Sequence, residues 1–297
     1  MLIGKSIRFD AFDANDTKKY MSYLRTTGMD ISSDLYPHVL MAHRDILNIE
    51  RGYTGDVCWH RDLYKGEEFW YMPVGKMDDI KSFFNRYVPK GTEFAALPET
   101  MKIVLEKLLG KHIYFEPQPE LDDYIVDNHK LVSMSGREYK GLRSHYNKIS
   151  RENVISVCDL RDVSTDELQE FNKAAIEQMD ENNEGVYQEK LLSKYLLDAL
   201  GSEDSLFGTV LKINGEIKGF TINEKGISNE CIGIYMKTDH SIKGLGEFIS
   251  VVDAKRQMNQ GFSYCNIMAD EGEAKLRESK LGYRPVRMIK KYYARYY

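Results

Sequence analysis

Apolar and polar residues alternate in one stretch of the chain and then change to a helical spacing, between residues 229 and 261. Ile232, Ile234 and Met236 recur at every second position, which predicts a strand with these side chains on one side. The spacing that follows predicts a helix over Glu247–Gln260. The apolar positions on one face of that helix are Leu245, Phe248, Ile249 and Val252.

The predicted loop between this strand and this helix carries two glycines, Gly244 and Gly246. Glycine lets backbone N–H groups approach an anion closely, and the start of a helix adds a favourable partial charge. The loop is therefore a candidate phosphate-binding site, and a tight turn between a strand and a helix is the alternative. The candidate cofactor-binding residues of this loop are Ser241, Lys243, Gly244, Leu245 and Gly246.

A second helix, with two distinct faces, is predicted from Gly136 to Arg151. Its apolar face carries Tyr139, Leu142, Tyr146 and Ile149. Its opposite face carries Arg137, Lys140, Arg143, Asn147, Lys148 and Arg151. The basic face is a candidate for phosphate contacts, and an ordinary solvated surface is the alternative.

The remaining patterns predict alternating helices and strands, with a hairpin at Asn214-Gly215. The other predicted strands are 56–61, 67–73, 93–96, 112–116, 154–158, 206–213, 216–222, 262–268 and 288–296. The other predicted helices are 17–27, 35–43, 77–87, 99–109, 165–181, 188–200 and 273–280. The first half contains no glycine loop of the kind described above.

Composition narrows the class of protein. A chain of 297 residues with 42% hydrophobic and 29% charged residues forms one large globular domain or two ordinary ones. The net charge of −5 argues against a general nucleic-acid binder but permits one local basic surface. No apolar run could cross a bilayer and the start lacks a signal-peptide core, so a cytoplasmic location is expected. The cysteines form no C-x-x-C pair and the histidines no metal spacing, so reduced thiols and no metal site are expected.

The second half reads strand, helix, helix, three antiparallel strands, glycine loop, helix, strand, helix and strand. With Gly244-x-Gly246 at the loop, this order resembles the GNAT acyltransferase superfamily. The phosphate motif of that superfamily is usually written Gln/Arg-x-x-Gly-x-Gly/Ala, and Ser241 stands at its first position here. The resemblance implies an α/β (α+β) fold with a mixed, mostly antiparallel sheet flanked by helices, and acyl-CoA as one candidate donor.

Two further runs look like a narrower family, the catalytic half of bacterial phosphatidylglycerol lysyltransferases. They are Ser135–Lys148 and the tail Leu276–Val286 with Lys290-Lys291-Tyr292-Tyr293. The resemblance implies two tandem GNAT-like domains, a degenerate one over residues 1–127 and one over 128–297 that carries the glycine loop. Fem-type peptidyltransferases share this architecture and take amino acids from tRNA, which makes tRNA a candidate partner.

The chain departs from that family at the strand before the loop. The family commonly carries a histidine and a glutamate near the strand's lysine, where Ile234 and Met236 stand here if Lys237 is the matching lysine. No run corresponds to the family's membrane-spanning part, so the resemblance does not imply a lipid acceptor.

Three residues are candidates for chemistry around the loop. Lys237 could polarise a carbonyl or neutralise an oxyanion, or it could end its strand in solvent. Asp270, near Glu271 and Glu273, is a candidate general base for an amine. The alternative for Glu271 or Glu273 is a place in the first turn of the following helix, where carboxylates are favoured. Asn266 could hold a bound acyl or pantetheine chain or make a structural hydrogen bond.

These patterns together predict an acyltransferase that moves an aminoacyl or acyl group from aminoacyl-tRNA or acyl-CoA to an amine or hydroxyl acceptor. The reaction would be direct attack, with no tightly bound cofactor and a small-molecule or peptide acceptor. With tRNA as donor, the predicted phosphate contacts are Arg137, Lys140, Arg143 and Lys148. A non-catalytic GNAT-like binding module is the alternative, supported by Ile234, Met236 and Ser241. The sequence leaves the oligomeric state open.

Overall fold

The computed structural model describes residues 7–77, 80–177 and 184–297 of the chain. The chain divides into two compact units. The first contains the residues up to Asp123 together with Ile289–Tyr297, and the second contains Tyr124–Met288. Each unit has its own sheet with helices packed against it.

The first unit is built on an eight-stranded sheet in the order β1-β2-β3-β4-β6-β16-β7, with β5 paired to β3. Its strands are β1 (Asp10–Ala11), β2 (Glu50–Thr54), β3 (Val57–Tyr64), β4 (Glu67–Trp70), β5 (Val74–Gly75), β6 (Glu93–Pro98), β7 (Ile113–Pro117) and β16 (Lys291–Tyr296). Its helices are α1 (Thr17–Thr26), α2 (Pro37–Leu47), α3 (Ile80–Tyr87) and α4 (Glu99–Leu109). Aromatic side chains, among them the fully buried Trp59 and Phe94, fill its core.

The second unit has an eight-stranded sheet in the order β15-β8-β14-β13-β12-β11-β9, with β10 paired to β12. Its strands are β8 (Asp123–Asp127), β9 (Ile155–Asp159), β10 (Leu206–Phe207), β11 (Thr209–Ile213), β12 (Glu216–Lys225), β13 (Glu230–Thr238), β14 (Tyr264–Asn266) and β15 (Arg287–Ile289). Its helices are α5 (Asn128–Ser133), α6 (Lys140–Glu152), α7 (Thr165–Glu177), α8 (Glu184–Ala199), α9 (Leu245–Asn259) and α10 (Ala274–Gly282).

The two sheets repeat one arrangement. In the first, β2, β3 and β4 are antiparallel neighbours and β4 then pairs with β6 in parallel. In the second, β11, β12 and β13 are antiparallel neighbours and β13 then pairs with β14 in parallel. The predicted fold class, mixed sheets flanked by helices in a tandem arrangement, is confirmed.

Strand β13 separates from β14 part of the way along its length. Their parallel pairing ends at Ile232 and Asn266, whereas β13 stays paired with β12 as far as Thr238. The register between β12 and β13 also shifts next to Asn223, which marks a bulge in the ladder. The last part of β13 therefore has one edge that β14 does not cover.

The last strand belongs to the sheet of the first unit. β16 pairs with β6 on one side and with β7 on the other. The assignment of residues 1–127 and 128–297 to two domains stays a prediction. Residues 291–296, however, pair with the sheet of the first unit and not with that of the second. Hydrophobic alternation marks such a strand but does not say which sheet it joins.

Candidate functional site

The glycine loop has the geometry of a tight strand-to-helix turn with exposed backbone. Gly244 is the N-cap of α9 and has φ +85°, in the region that favours glycine. A Cβ at this position would lie 2.7 Å from Cβ of His145 on α6. Both the backbone angle and the contact with His145 therefore require glycine here.

Part of the loop's hydrogen-bonding capacity is used internally. The amide of Ser241 donates to the Asp239 carboxylate at 3.0 Å, and the amide of Leu245 donates to the Ile242 carbonyl at 3.2 Å. The Leu245 side chain is also buried in a core cluster with Phe248, so Leu245 is not available as a ligand. This corrects the prediction for that residue.

Other loop amides remain open. Among the described residues, no protein atom accepts a hydrogen bond from the backbone N–H groups of Lys243, Gly244, Gly246 or Glu247. These four groups lie at the N-terminus of a 15-residue helix, where anions bind favourably. The Lys243 side chain is exposed beside them. The Ser241 hydroxyl, in contrast, donates to Asp239 at 2.6 Å.

A histidine and a glutamate flank the open amides. His145 Nδ1 lies 3.0 Å from Glu247 Oε1, and both side chains are about one-third exposed. Glu247 lies in the first turn of α9, where a carboxylate is stabilised by the helix dipole. A negative charge is therefore already present beside the candidate phosphate site.

The basic helix packs directly against α9. Tyr146 of α6 stacks on Phe248 of α9, with ring centroids 4.7 Å apart, and the predicted apolar face of α6 is confirmed by burial of Leu142 and Ile149. Arg137, Lys140 and Lys148 are exposed. Lys140 and Lys148 lie on α6, which packs against α9 on one side of the sheet, whereas Arg137 precedes the helix, which begins at Lys140 and not at the predicted Gly136.

Arg143 differs from the other predicted phosphate contacts. Its guanidinium donates to the carbonyls of Met134 and Gly136, at the end of α5. A side chain that caps the preceding helix has fewer donors left for a ligand. Both hydrogen bonds use Nη1, so a phosphate contact through the other nitrogens of Arg143 stays a prediction.

Lys237 does not end its strand in solvent. It is 4% exposed, and its Nζ lies 2.6 Å from Oε1 of Glu189 on α8. The neighbouring Tyr235 hydroxyl lies 2.9 Å from the same oxygen and 2.6 Å from Asn172 Oδ1. Burial, followed by the charge of Glu189, raises the pKa of Tyr235. Lys237 is thus one member of a buried polar cluster: Lys237, Glu189, Tyr235 and Asn172.

This cluster and the glycine loop lie on opposite faces of β13. Met236 contacts Ser250 of α9 at 3.7 Å, whereas Lys237, the next residue, contacts α8. Successive side chains of a strand point to opposite faces. The two faces meet at the edge of β13 that β14 leaves uncovered beyond Ile232.

Asn266 and Asp270 make structural contacts. Oδ1 of the buried Asn266 accepts a hydrogen bond from the Met268 amide at 2.9 Å. Asp270 is fully buried and accepts two hydrogen bonds from Arg277 and one each from Tyr124 and Gly272.

The contacts of Asp270 argue against the predicted role as a general base. The hydrogen bonds from Arg277 lower the pKa of Asp270 to about 2. A carboxylate with four donors and so low a pKa is a poor proton acceptor. The general-base role of Asp270 stays a prediction, and its hydrogen bonds disfavour it.

Two residues of the site had no clear signal in the sequence. Glu189 precedes Lys237 by 48 residues, and only the packing of α8 on β13 brings them together. His145 belongs to neither the apolar nor the basic face predicted for this helix, and in the structure it contacts the start of α9. Its contact with Gly244 depends on how closely α6 and α9 approach.

The family and the fold indicate a transferase of the aminoacyl-tRNA-dependent or GNAT-like class. The family model described as phosphatidylglycerol lysyltransferase, C-terminal, matches residues 44–295, and the chain belongs to that family. Comparison with curated protein sequences gave no match. Among the described residues, no helix has the length and apolar character needed to span a membrane.

Solved structures with the same fold cover nearly the whole chain. A conserved protein of unknown function from Bacteroides thetaiotaomicron has a TM-score of 0.87 at 22% identity, over 98% of this chain and 100% of that one. L-PGS from Bacillus licheniformis has a TM-score of 0.66 at 17% identity, over 97% and 93%. FemX has a TM-score of 0.64 at 8% identity, over 95% and 96%. At these identities the likeness establishes the fold alone.

Proposed function

We propose that this chain is an acyltransferase that moves an aminoacyl group from aminoacyl-tRNA to an amine or hydroxyl acceptor. The observation that carries the proposal is the set of open amides at the start of α9, the helix against which α6 with its exposed lysines packs. The loop would hold a phosphate of the donor, and Arg137, Lys140 and Lys148 would contact further phosphates. Because aminoacyl-tRNA is made in the cytoplasm, we place the reaction there.

Two features favour tRNA over acyl-CoA as the donor. The carboxylate of Glu247 beside the open amides repels a bound anion. This repulsion is greater for the two adjacent charges of the pyrophosphate in acyl-CoA than for the single charge of a phosphodiester in tRNA. The exposed cations of α6 extend the positive surface beyond what one small cofactor covers. Acyl-CoA remains the second candidate donor, and neither donor would be a tightly bound cofactor.

The transfer would be a direct attack on the donor carbonyl. The donor would be held at the loop, with its reactive end at the uncovered edge of β13 and near Lys237. Positioning lowers the barrier by converting a bimolecular step into one within a complex. Lys237, kept in place by Glu189, would stabilise the negative charge that develops on the carbonyl oxygen.

Binding and transfer can be tested with the purified chain and a mixture of tRNAs charged with radiolabelled amino acids. We expect binding that weakens with salt and RNase-sensitive transfer of label to amines or alcohols. Transfer that survives RNase but requires acyl-CoA would replace tRNA by acyl-CoA as the donor. Absence of binding to both donors below millimolar concentrations would disprove the enzymatic proposal.

A further inference from the structure

The two oxygens of Glu189 have different surroundings. Oε1 lies within hydrogen-bond distance of both Lys237 and Tyr235, at 2.6 and 2.9 Å. Oε2 has no hydrogen-bond partner among the residues that the structure describes. The Glu189 side chain is 22% exposed, whereas that of Lys237 is 5% exposed. The carboxylate is therefore fixed through one oxygen and open to a ligand through the other.

The rest of the cluster is already satisfied. Asn172 Nδ2 donates to the Ser193 hydroxyl at 3.0 Å, and its Oδ1 lies 2.6 Å from the Tyr235 hydroxyl. Tyr235 has a single proton to donate, and both of its candidate acceptors belong to the protein. Oε2 of Glu189 is thus the acceptor in this cluster that a ligand could use.

We propose that Oε2 of Glu189 binds the attacking amine of the acceptor and takes its proton. This inference rests on the proposed function and narrows the acceptor from an amine or hydroxyl to an amine. An alcohol is a poor nucleophile until its proton is removed, so its attack depends far more on a base than the attack of an amine does. An amine needs no base to attack, and its N–H becomes acidic as the bond to carbon forms. The carboxylate can then remove the proton.

The proposed step is balanced without a further reactant. The neutral amine nitrogen forms a bond to the ester carbonyl carbon, and the bond from that carbon to the terminal ribose oxygen of the tRNA breaks. The proton leaves the nitrogen for Oε2 of Glu189 and then passes to the departing ribose oxygen. The products are one amide and one free ribose hydroxyl, and Glu189 is again a carboxylate.

The experiment compares hexylamine with hexanol, two probes of similar length, as acceptors for labelled aminoacyl-tRNA. Wild type should transfer label to hexylamine and not measurably to hexanol. E189Q should lower kcat/KM for hexylamine about 100-fold, while the Kd for charged tRNA stays within about twofold. E189D keeps the carboxylate and should recover part of the loss. E177Q, which removes an exposed carboxylate on α7, is the matched control and should behave as wild type.

Several outcomes would overturn the inference and leave the donor assignment intact. They are equal transfer to hexanol, unchanged kcat/KM in a folded E189Q protein, or binding of charged tRNA without transfer to either probe. If E189Q unfolds, E189D decides: a change in the preference for amine over alcohol supports the inference, and an unchanged preference contradicts it. If the wild-type protein does not bind charged tRNA at all, the proposed function itself is disproved.

Discussion

Gly244 and His145 are so close that no side chain fits between them. A Cβ on Gly244 would lie 2.7 Å from both Cβ and Cγ of His145, closer than carbon atoms approach in proteins. The contact joins the start of α9 to the middle of α6 and keeps the loop amides beside the basic helix. The spacing of the two helices at this point is therefore part of the candidate donor site.

The first prediction concerns the two glycines of the loop. G244A must adopt φ +85° and displace His145, so we expect a loss of stability of about 1–3 kcal/mol and about tenfold weaker binding of charged tRNA. G246A is the matched control, because a Cβ there meets no atom closer than 3.9 Å. Denaturant unfolding and filter binding measure the two effects. Equal affinities of G244A and G246A would contradict the role of Gly244.

The second prediction separates the cations of α6 into two groups. K140A/K148A should weaken binding of tRNAs of every sequence, because phosphate contacts do not read the bases. It should also reduce the slope of log K against log salt concentration by about one per lost contact. R143A should instead lower stability by about 1 kcal/mol, because it removes donors from the carbonyls at the end of α5. K173A, on α7, is the exposed control. If R143A reduces the salt dependence of tRNA binding and K140A/K148A does not, then Arg143, and not the two lysines, contacts the phosphates.

The third prediction concerns Asp270, whose pKa Arg277 lowers to about 2. Since the folded pKa lies below the ordinary value of 3.8, the stabilisation is complete above that value. It is lost as the pH falls toward 2. D270N should remove this acid dependence of unfolding and lower stability by about 1–3 kcal/mol. The pH profile of transfer should keep its shape in D270N. If the pH dependence of transfer changes shape in D270N, Asp270 acts as a general base.

The sequence predicted most elements of the fold because periodicity reflects burial within one element. Helix α4 occupies the predicted residues 99–109, and the apolar face of α6 is buried as expected. Strand β8 was missed because its run of buried residues, Tyr124 to Val126, is too short to distinguish from a loop. Strand β2 was missed because Gly52 and charged residues obscure its pattern.

The site was less predictable than the fold, since its contacts join distant parts of the chain. The glycine loop is local, so its residues and its turn could be read from one stretch of sequence. The pairing of Lys237 with Glu189 depends on how α8 crosses β13, which no spacing encodes. The hydrogen bonds of Asp270 could not be predicted for the same reason, because Tyr124, one of its partners, is 146 residues away.

The last prediction distinguishes two adjacent lysines at the end of the chain. Lys291 is fully buried, 2.7 Å from Asp123 and 2.5 Å from Asp34, whereas the side chain of Lys290 is 58% exposed. Burial alone would lower the pKa of Lys291, but the two carboxylates raise it to about 12. K291A leaves the buried Asp123 without its cation and should lower stability by about 3–5 kcal/mol. K290A should change it by less than about 0.5 kcal/mol.

The same lysine gives a distinct pH signature. Because its folded pKa is raised, the stabilisation by Lys291 is complete below the ordinary value of 10.5 and is lost as the pH rises through about 12. Wild type should therefore lose stability over that interval in denaturant unfolding, and K291A should not. In K291A/D123N the uncompensated charge is gone as well, so part of the loss should be recovered. Equal effects of K290A and K291A would mean that the ion pairs of Lys291 do not hold the last strand in the first sheet.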